Sequence, residues 1–229
     1  EISGFQRTLE MVPSNNERGI EEMKVLHYMF GIPPVRGGGL IRYATDLMKA
    51  EQKRGIQTVL LIPGKIPYNA SQKIKIKRYG NYNGSVSYRI QNPLPIPMGN
   101  GILDIDAYTR AGGSREYSEF LKKLQPDLIH VHSLMGLQKE FLIEAQKLEI
   151  PVVFTTHDYF VQQEFNFLAE YPENNKEKLD IRFMSLYRDE TTNELKYEME
   201  KSLADLEHNA VMEEFDALYD REQRIIYGN

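Results

Sequence analysis

Met23-Lys24-Val25-Leu26-His27-Tyr28 is a short apolar run that halts at a loop holding Gly31, Pro33, Pro34 and Gly37-Gly38-Gly39. Beyond the loop, Leu40, Ile41, Ala44, Leu47 and Met48 recur at helical spacing, and Gly55 follows Lys53-Arg54 where a C-terminal cap is expected. Thr58-Val59-Leu60-Leu61-Ile62 is then a continuous apolar run stopped by Pro63-Gly64. Uninterrupted apolar runs of this length read as strands buried on both faces, which is the environment of a parallel sheet. Strand, glycine loop, helix and strand in that order make a βαβ unit.

Working outward, the same pattern returns. Ser114 is placed to cap a helix whose Tyr117, Phe120, Leu121 and Leu124 share a face, and Pro126 ends it. Leu128-Ile129-His130-Val131-His132 reads as the next strand, and Leu137, Phe141, Leu142, Ala145 and Leu148 line the helix after it. Pro151 to Thr156 forms a further apolar strand. Between the two units, Lys73 to Tyr79 alternates basic with apolar residues and 86–90 reads as a strand. The prolines of 92–97 exclude a central strand, so this section belongs at a sheet edge with loops. The expected fold is α/β, a Rossmann-like, mostly parallel sheet flanked by helices. Residues 1–22 contain the turn cluster Pro13-Ser14-Asn15-Asn16 and no apolar secretory core, and read as a leader, a linker or the tail of something upstream.

The chain changes character near residue 160. Residues 1–160 carry 20 Lys and Arg against 16 Asp and Glu, whereas 161–229 carry 8 against 17. In the acidic part, Leu195, Met199, Leu203, Leu206 and Ala210 step by three or four residues, which predicts a Glu-rich helix packing on a surface or a partner. The expected organisation is therefore a domain over 23–160 and an acidic, mainly helical extension over 161–229. The 229 residues suit one large domain with an appendage, since cores close at about 100 to 200 residues. The absence of cysteine excludes disulfides, thiol nucleophiles and zinc ribbons. A net charge of -5 argues against nucleic acid as the main partner. No stretch approaches the roughly 18 apolar residues of a spanning helix.

Ligands of open parallel sheets bind at the carboxyl ends of the strands, so residues just after each apolar run carry the functional weight. Gly37, Gly38 and Gly39 precede a helix, where bare backbone and exposed amides favour a phosphate or a sugar, and Arg36 adds a positive charge. The spacing is neither GxGxxG nor a P-loop, and a tight turn without a ligand is the plain alternative. His130 and His132 share a strand face by the period of two, with His132 and Ser133 nearest the strand end. A hydrogen-bonded core histidine at 130, with only His132 facing the cleft, is preferred to a metal set of His130, His132, His157 and Asp158 as in metal-dependent hydrolases, because no further carboxylate ligands stand at strand ends. His157 and Asp158 end the strand from Pro151 and lead to Tyr159; a histidine there can bond a substrate hydroxyl, or the pair can simply close the turn. A Ser-His-Asp hydrolase is excluded by the lack of a Gly-x-Ser-x-Gly elbow. Lys73, Lys75, Lys77 and Arg78 form a basic stripe, suited either to anionic lipid headgroups or to an ordinary exposed sheet edge.

Four segments together carry a family resemblance: Lys24-Val-Leu-His-Tyr28, Gly37-Gly-Gly-Leu-Ile-Arg-Tyr-Ala-Thr-Asp-Leu47, Pro126-Asp-Leu-Ile-His-Val-His-Ser133 and Ile150-Pro-Val-Val-Phe-Thr-Thr-His-Asp158. In this order they resemble the N-terminal, acceptor-binding domain of GT-B glycosyltransferases of the retaining, sucrose-synthase-like superfamily (group 1, family 4) over about residues 23–160. The resemblance implies a transferase that moves a sugar from a UDP- or GDP-sugar cosubstrate to a saccharide or lipid-linked saccharide acceptor, as in polysaccharide biosynthesis. It places Gly37, Gly38, Gly39 and Arg36 at the donor diphosphate and transferred sugar. His157 falls beside the reacting carbon as the catalytic position, and His132, Ser133, Asp158 and Tyr159 fall along the acceptor cleft. No permanently bound cofactor and no metal are implied, because loop amides and helix dipoles can stabilise a leaving diphosphate.

The family's second domain holds the nucleotide and needs roughly another 150 residues with its own βα repeats. Residues 161–229 are too acidic and too poor in apolar strands to supply it. The expectation is an acceptor-binding half with little activity alone, completed by the C-terminal domain or by a partner subunit. The alternative is a non-catalytic binding subunit of the same fold that associates through the face from Leu195 to Ala210. The expected location is the cytoplasm, either free or in peripheral contact with the inner membrane surface.

Overall fold

The computed structural model describes residues 23–64, 73–94, 111–155, 159–171, 173, 180–189 and 191–227. The expectations for residues 1–22 and for Thr156, His157 and Asp158 lie outside these. The described residues divide into two units, 23–155 and 159–227.

The first unit is built on a six-stranded sheet. Its elements in chain order are β1 (Lys24–Tyr28), α1 (Gly39–Gln52), β2 (Gln57–Pro63), β3 (Lys75–Tyr82), β4 (Ser85–Gln91), α2 (Ser114–Leu124), β5 (Leu128–Val131), α3 (Glu140–Lys147) and β6 (Val152–Phe154). The strand order is β3-β4-β2-β1-β5-β6. All neighbours pair in parallel except β3, which runs antiparallel to β4 at one edge and slips register between Arg78 and Gly80. The expected parallel α/β sheet with Lys73 to Tyr79 at its margin is therefore what the chain forms.

Alternation along the strands sorts two layers. Leu26 and Tyr28 of β1, Val59 and Leu61 of β2, and Ile129 and Val131 of β5 face α2 and α3 and pack on Tyr117, Leu121, Phe141 and Ala145. Leu60 and Ile62, with Met29, face α1 and meet Ile41, Ala44 and Met48. The helical stripes of the sequence are thus the two apolar seams that clamp the sheet. Gly55 follows α1 at φ 83, the left-handed geometry that a glycine tolerates without a Cβ penalty. At α2 the expected cap is displaced by one residue. Gly113 holds the N-cap position at φ 84, where a Cβ would stand 2.3 Å from Ile74 Cδ1. Ser114 is already helical, and its hydroxyl is hydrogen-bonded to Glu144.

The second unit contains α4 (Tyr159–Glu170), β7 (Phe183–Arg188), β8 (Leu195–Glu200), a 3₁₀ turn (Leu203–Asp205) and α5 (Ala210–Tyr227). Here the helix expected through Leu195, Met199, Leu203, Leu206 and Ala210 is corrected. Leu195–Glu200 is a strand paired antiparallel with β7, and a helix begins only at Ala210. A step of four residues fits both a helical turn and two strand periods, and Leu195, Tyr197 and Met199 alternate with Lys196, Glu198 and Glu200. With no continuous helix across 195–210, the association face proposed there does not exist in that form. The hairpin loop is held by Asp189, whose Oδ1 accepts from the backbone of Thr191 at 3.0 Å and Thr192 at 2.8 Å. Lys196 bonds the same carboxylate and, with Thr192, holds it well below the usual carboxylate range.

Candidate functional site

From β1 the chain moves outward to β2 and β4, then returns to the other side of β1 to build β5 and β6. The order therefore reverses between β1 and β5. A crevice opens outside the carboxyl ends of strands at such a reversal, because the loops leaving the two strands diverge to opposite sides. The loops concerned are 29–38 after β1 and 132–139 after β5.

The loop after β1 ends in the three glycines. Gly37, Gly38 and Gly39 are exposed, and among the described residues no atom beyond their chain neighbours and the helix's own backbone stands within 4 Å of where their Cβ atoms would be. Gly38 has φ 122 as the N-cap residue of α1, and its carbonyl accepts from Arg42 N at 3.1 Å. Side chains are disfavoured at that φ, so the loop keeps bare backbone beside the helix start. Arg36 is half-buried, its guanidinium 6.0 Å from the ring centre of Phe30. A Cβ on Gly31 would meet Arg36 Cγ at 2.3 Å, so the loop folds tightly back on itself.

The loop after β5 is pinned from below. Tyr28 donates its hydroxyl to the Met135 carbonyl at 2.6 Å, and Ser133 Oγ accepts from Met135 N at 3.1 Å. Burial raises the Tyr28 pKa well above its ordinary value, so this hydroxyl stays a donor.

Between α1 and the sheet lies a buried group of three histidines. Strand register sets His27 beside His130, and the period of two puts His132 on the same face. His27 Nε2 is 2.7 Å from Glu51 Oε2, and His27 Nδ1 is 3.1 Å from His132 Nε2. His130 Nε2 is 2.6 Å from Thr155 Oγ1 at the end of β6. Their exposures are 0% for His27, 8% for His130, 2% for His132 and 3% for Glu51. The ring of His132 stacks on His130 at 4.1 Å and meets Tyr43 edge-on at 6.0 Å. Burial, and then the neighbouring His27, lower the His130 pKa to about 3, which keeps that ring neutral.

The nitrogens of His27, His130 and His132 lie within 4.8 Å of one another, close enough to be considered as metal ligands. Their ring arrangement is a different one. His130 and His132 are stacked with planes 27° apart, so their in-plane lone pairs run side by side, whereas ligands of one ion aim at a common point. His27 and His132 already use facing nitrogens in a hydrogen bond.

The sequence-derived residues divide accordingly. Arg36 and Gly37–Gly39 stand together at the start of α1. His132 and Ser133 come to the end of β5, but at 2% and 8% exposure they are buried and do not face an open cleft. The expected hydrogen-bonded core histidine at 130 has its partner in Thr155. His157 and Asp158 lie outside the described residues. Tyr159 opens α4, and its side chain is not described. Two residues escaped the sequence reading, His27 and Glu51. Glu51 had a signal, a carboxylate continuing the helical stripe of Ile41, Ala44 and Met48. A shallow cavity bounded by Leu121, Lys122, Gln125, Pro126, Asp127, Leu148 and Ile150 lies at the amino-terminal end of β5, opposite the glycine loop.

The fold is that of a Rossmann-like domain whose strand order reverses between β1 and β5. Residues 37–189, about two thirds of the chain, match the model of Glycosyltransferase Family 4, and the chain belongs to that family. No curated protein matches the chain.

Proposed function

We propose that residues 23–155 form the acceptor-binding side of a glycosyltransferase that moves a sugar from a nucleotide-sugar to a saccharide or lipid-linked saccharide. The nucleotide, UDP or GDP, is gripped by a second domain in the same polypeptide or in a partner. The observation that carries this reading, alongside the family, is the bare glycine bend at the start of α1. Exposed Gly37–Gly39 bring no side chains to the start of α1, and the first amides of that helix with Arg36 suit a diphosphate. A departing diphosphate gains negative charge in the transition state, where fixed amide dipoles act without rearrangement. His157 is assigned to the transferred sugar, and Asp158 and Tyr159 to the acceptor side.

Among the described residues no helix is long and apolar enough to cross a membrane. Lys73, Lys75, Lys77 and Arg78 are exposed along the β3 edge, and support a peripheral contact with anionic lipid.

The test is release of UDP or GDP from a panel of nucleotide-sugars by the full-length protein, supplied with extracted membrane lipids and saccharides. Gly38→Val fills the bend and imposes a side chain at φ 122. It is expected to lower turnover about 100-fold, the scale of losing one well-placed transition-state donor. Turnover unchanged in Gly38→Val would remove the diphosphate assignment, and no release with any donor would remove the reading.

A further inference from the structure

With Glu51 ionised and both imidazoles neutral, the buried chain Glu51, His27, His132 has only one consistent arrangement of protons. An ionised carboxylate only accepts, so His27 must carry its hydrogen on Nε2, 2.7 Å from Glu51 Oε2. The single hydrogen of that ring being used, Nδ1 is an acceptor, and His132 Nε2 at 3.1 Å must donate. We propose that Glu51 is a positioning residue that acts through His27 to keep the proton of His132 on Nε2, leaving Nδ1 as the accepting nitrogen at the carboxyl end of β5.

The geometry favours such a device over ordinary core packing. Glu51 is in the last turn of α1, whereas His132 follows β5, so the chain joins the end of the helix to the carboxyl end of the strand. With Glu51, His27 and His132 at 3%, 0% and 2% exposure, the contacts are shielded from bulk water that would otherwise scramble the tautomers. A carboxylate that orients a histidine through its far nitrogen is a recurring way to fix imidazole tautomers. The consequence is a fixed polarity: His132 donates inward to His27, and its other ring nitrogen can only accept. This tautomer does not depend on the glycosyl-transfer reading above.

The experiment is two-bond ¹H–¹⁵N correlation on the chain labelled with ¹⁵N-histidine, at mildly alkaline pH. Protonated Nε2 and unprotonated Nδ1 signatures are expected for both His27 and His132. A protonated Nδ1 on His132 in the parent chain would overturn the proposal. Glu51→Leu, which leaves an apolar side chain in a buried place, is expected to give a mixed His132 tautomer, and an unchanged His132 pattern counts against the relay. Glu51→Gln can turn either its oxygen or its amide toward His27, so His27 and His132 must then carry their protons on the same nitrogen as each other. Switching of His27 alone would break the chain of coupling. The parent spectrum and the glutamine variant decide the matter even where the leucine variant does not fold. Loss of the transferase reading would leave these spectra unaffected.

Discussion

The two faces of one sheet are made by alternate residues of the same strands, yet they are unlike. Toward α2 and α3, Leu26, Tyr28, Ile129 and Val131 belong to a closed apolar layer with Phe141 at its centre. Toward α1, β2 still supplies apolar Leu60 and Ile62, but the intervening positions of β1 and β5 are His27 and His130, joined by His132 and Glu51 in a polar patch. A period of two lets a five-residue strand serve a packing layer and a chemical layer at once. What differs is how each face fails: the apolar face responds to lost volume, the polar face to lost partners.

The largest effect is expected on the apolar side. Phe141→Ala removes a fully buried ring that packs on Tyr28 and Tyr117, and is expected to cost about 3–5 kcal/mol in urea denaturation. A loss below about 1 kcal/mol would mean that this layer is loosely packed.

On the polar side, His27→Leu keeps the volume but strands the Glu51 carboxylate without its partner. The expected loss is about 3 kcal/mol. Adding Glu51→Leu is expected to recover at least about 1 kcal/mol of it, because the orphaned charge goes too. If the two losses merely add, the contact between His27 and Glu51 carries no coupling.

A smaller effect concerns acid. His130 has its pKa lowered from 6.5 to about 3 in the folded chain, so between these values the unfolded chain binds the extra proton. Its contribution is complete above pH 6.5 and is lost progressively as pH falls toward 3. Lowering pH from about 7 to about 5 should cost roughly 2 kcal/mol through this group. His130→Gln should flatten that part of the stability profile, and an equal slope in both proteins would refute the assignment.

The same comparison explains what could be read in advance. The apolar face and the parallel topology were legible, since β2 is an unbroken apolar run and α1 shows its stripe within a few turns. The histidine layer was only half legible. His130 and His132 are near in sequence, but His27 joins them through strand register across more than a hundred residues, which no local pattern encodes. The burial of His132 follows from that same register. In the second unit, spacing alone misled: Leu195 and Met199 fit a helix as well as a strand, and the decisive partner, β7, lies in a different segment. The cap of α2 was missed for a steric reason, the approach of Ile74 to Gly113, that belongs to tertiary structure.

The margins of the sheet have a bearing on how the molecule behaves among copies of itself. One border strand, β3, displays exposed Lys75, Lys77 and Arg78 and changes register just beyond them. The opposite border, β6, is three residues long. A charged, kinked border repels an incoming strand, and a border of three residues gives it too few hydrogen bonds to hold. Growth of this sheet by edge-to-edge polymerisation is thus discouraged at both borders.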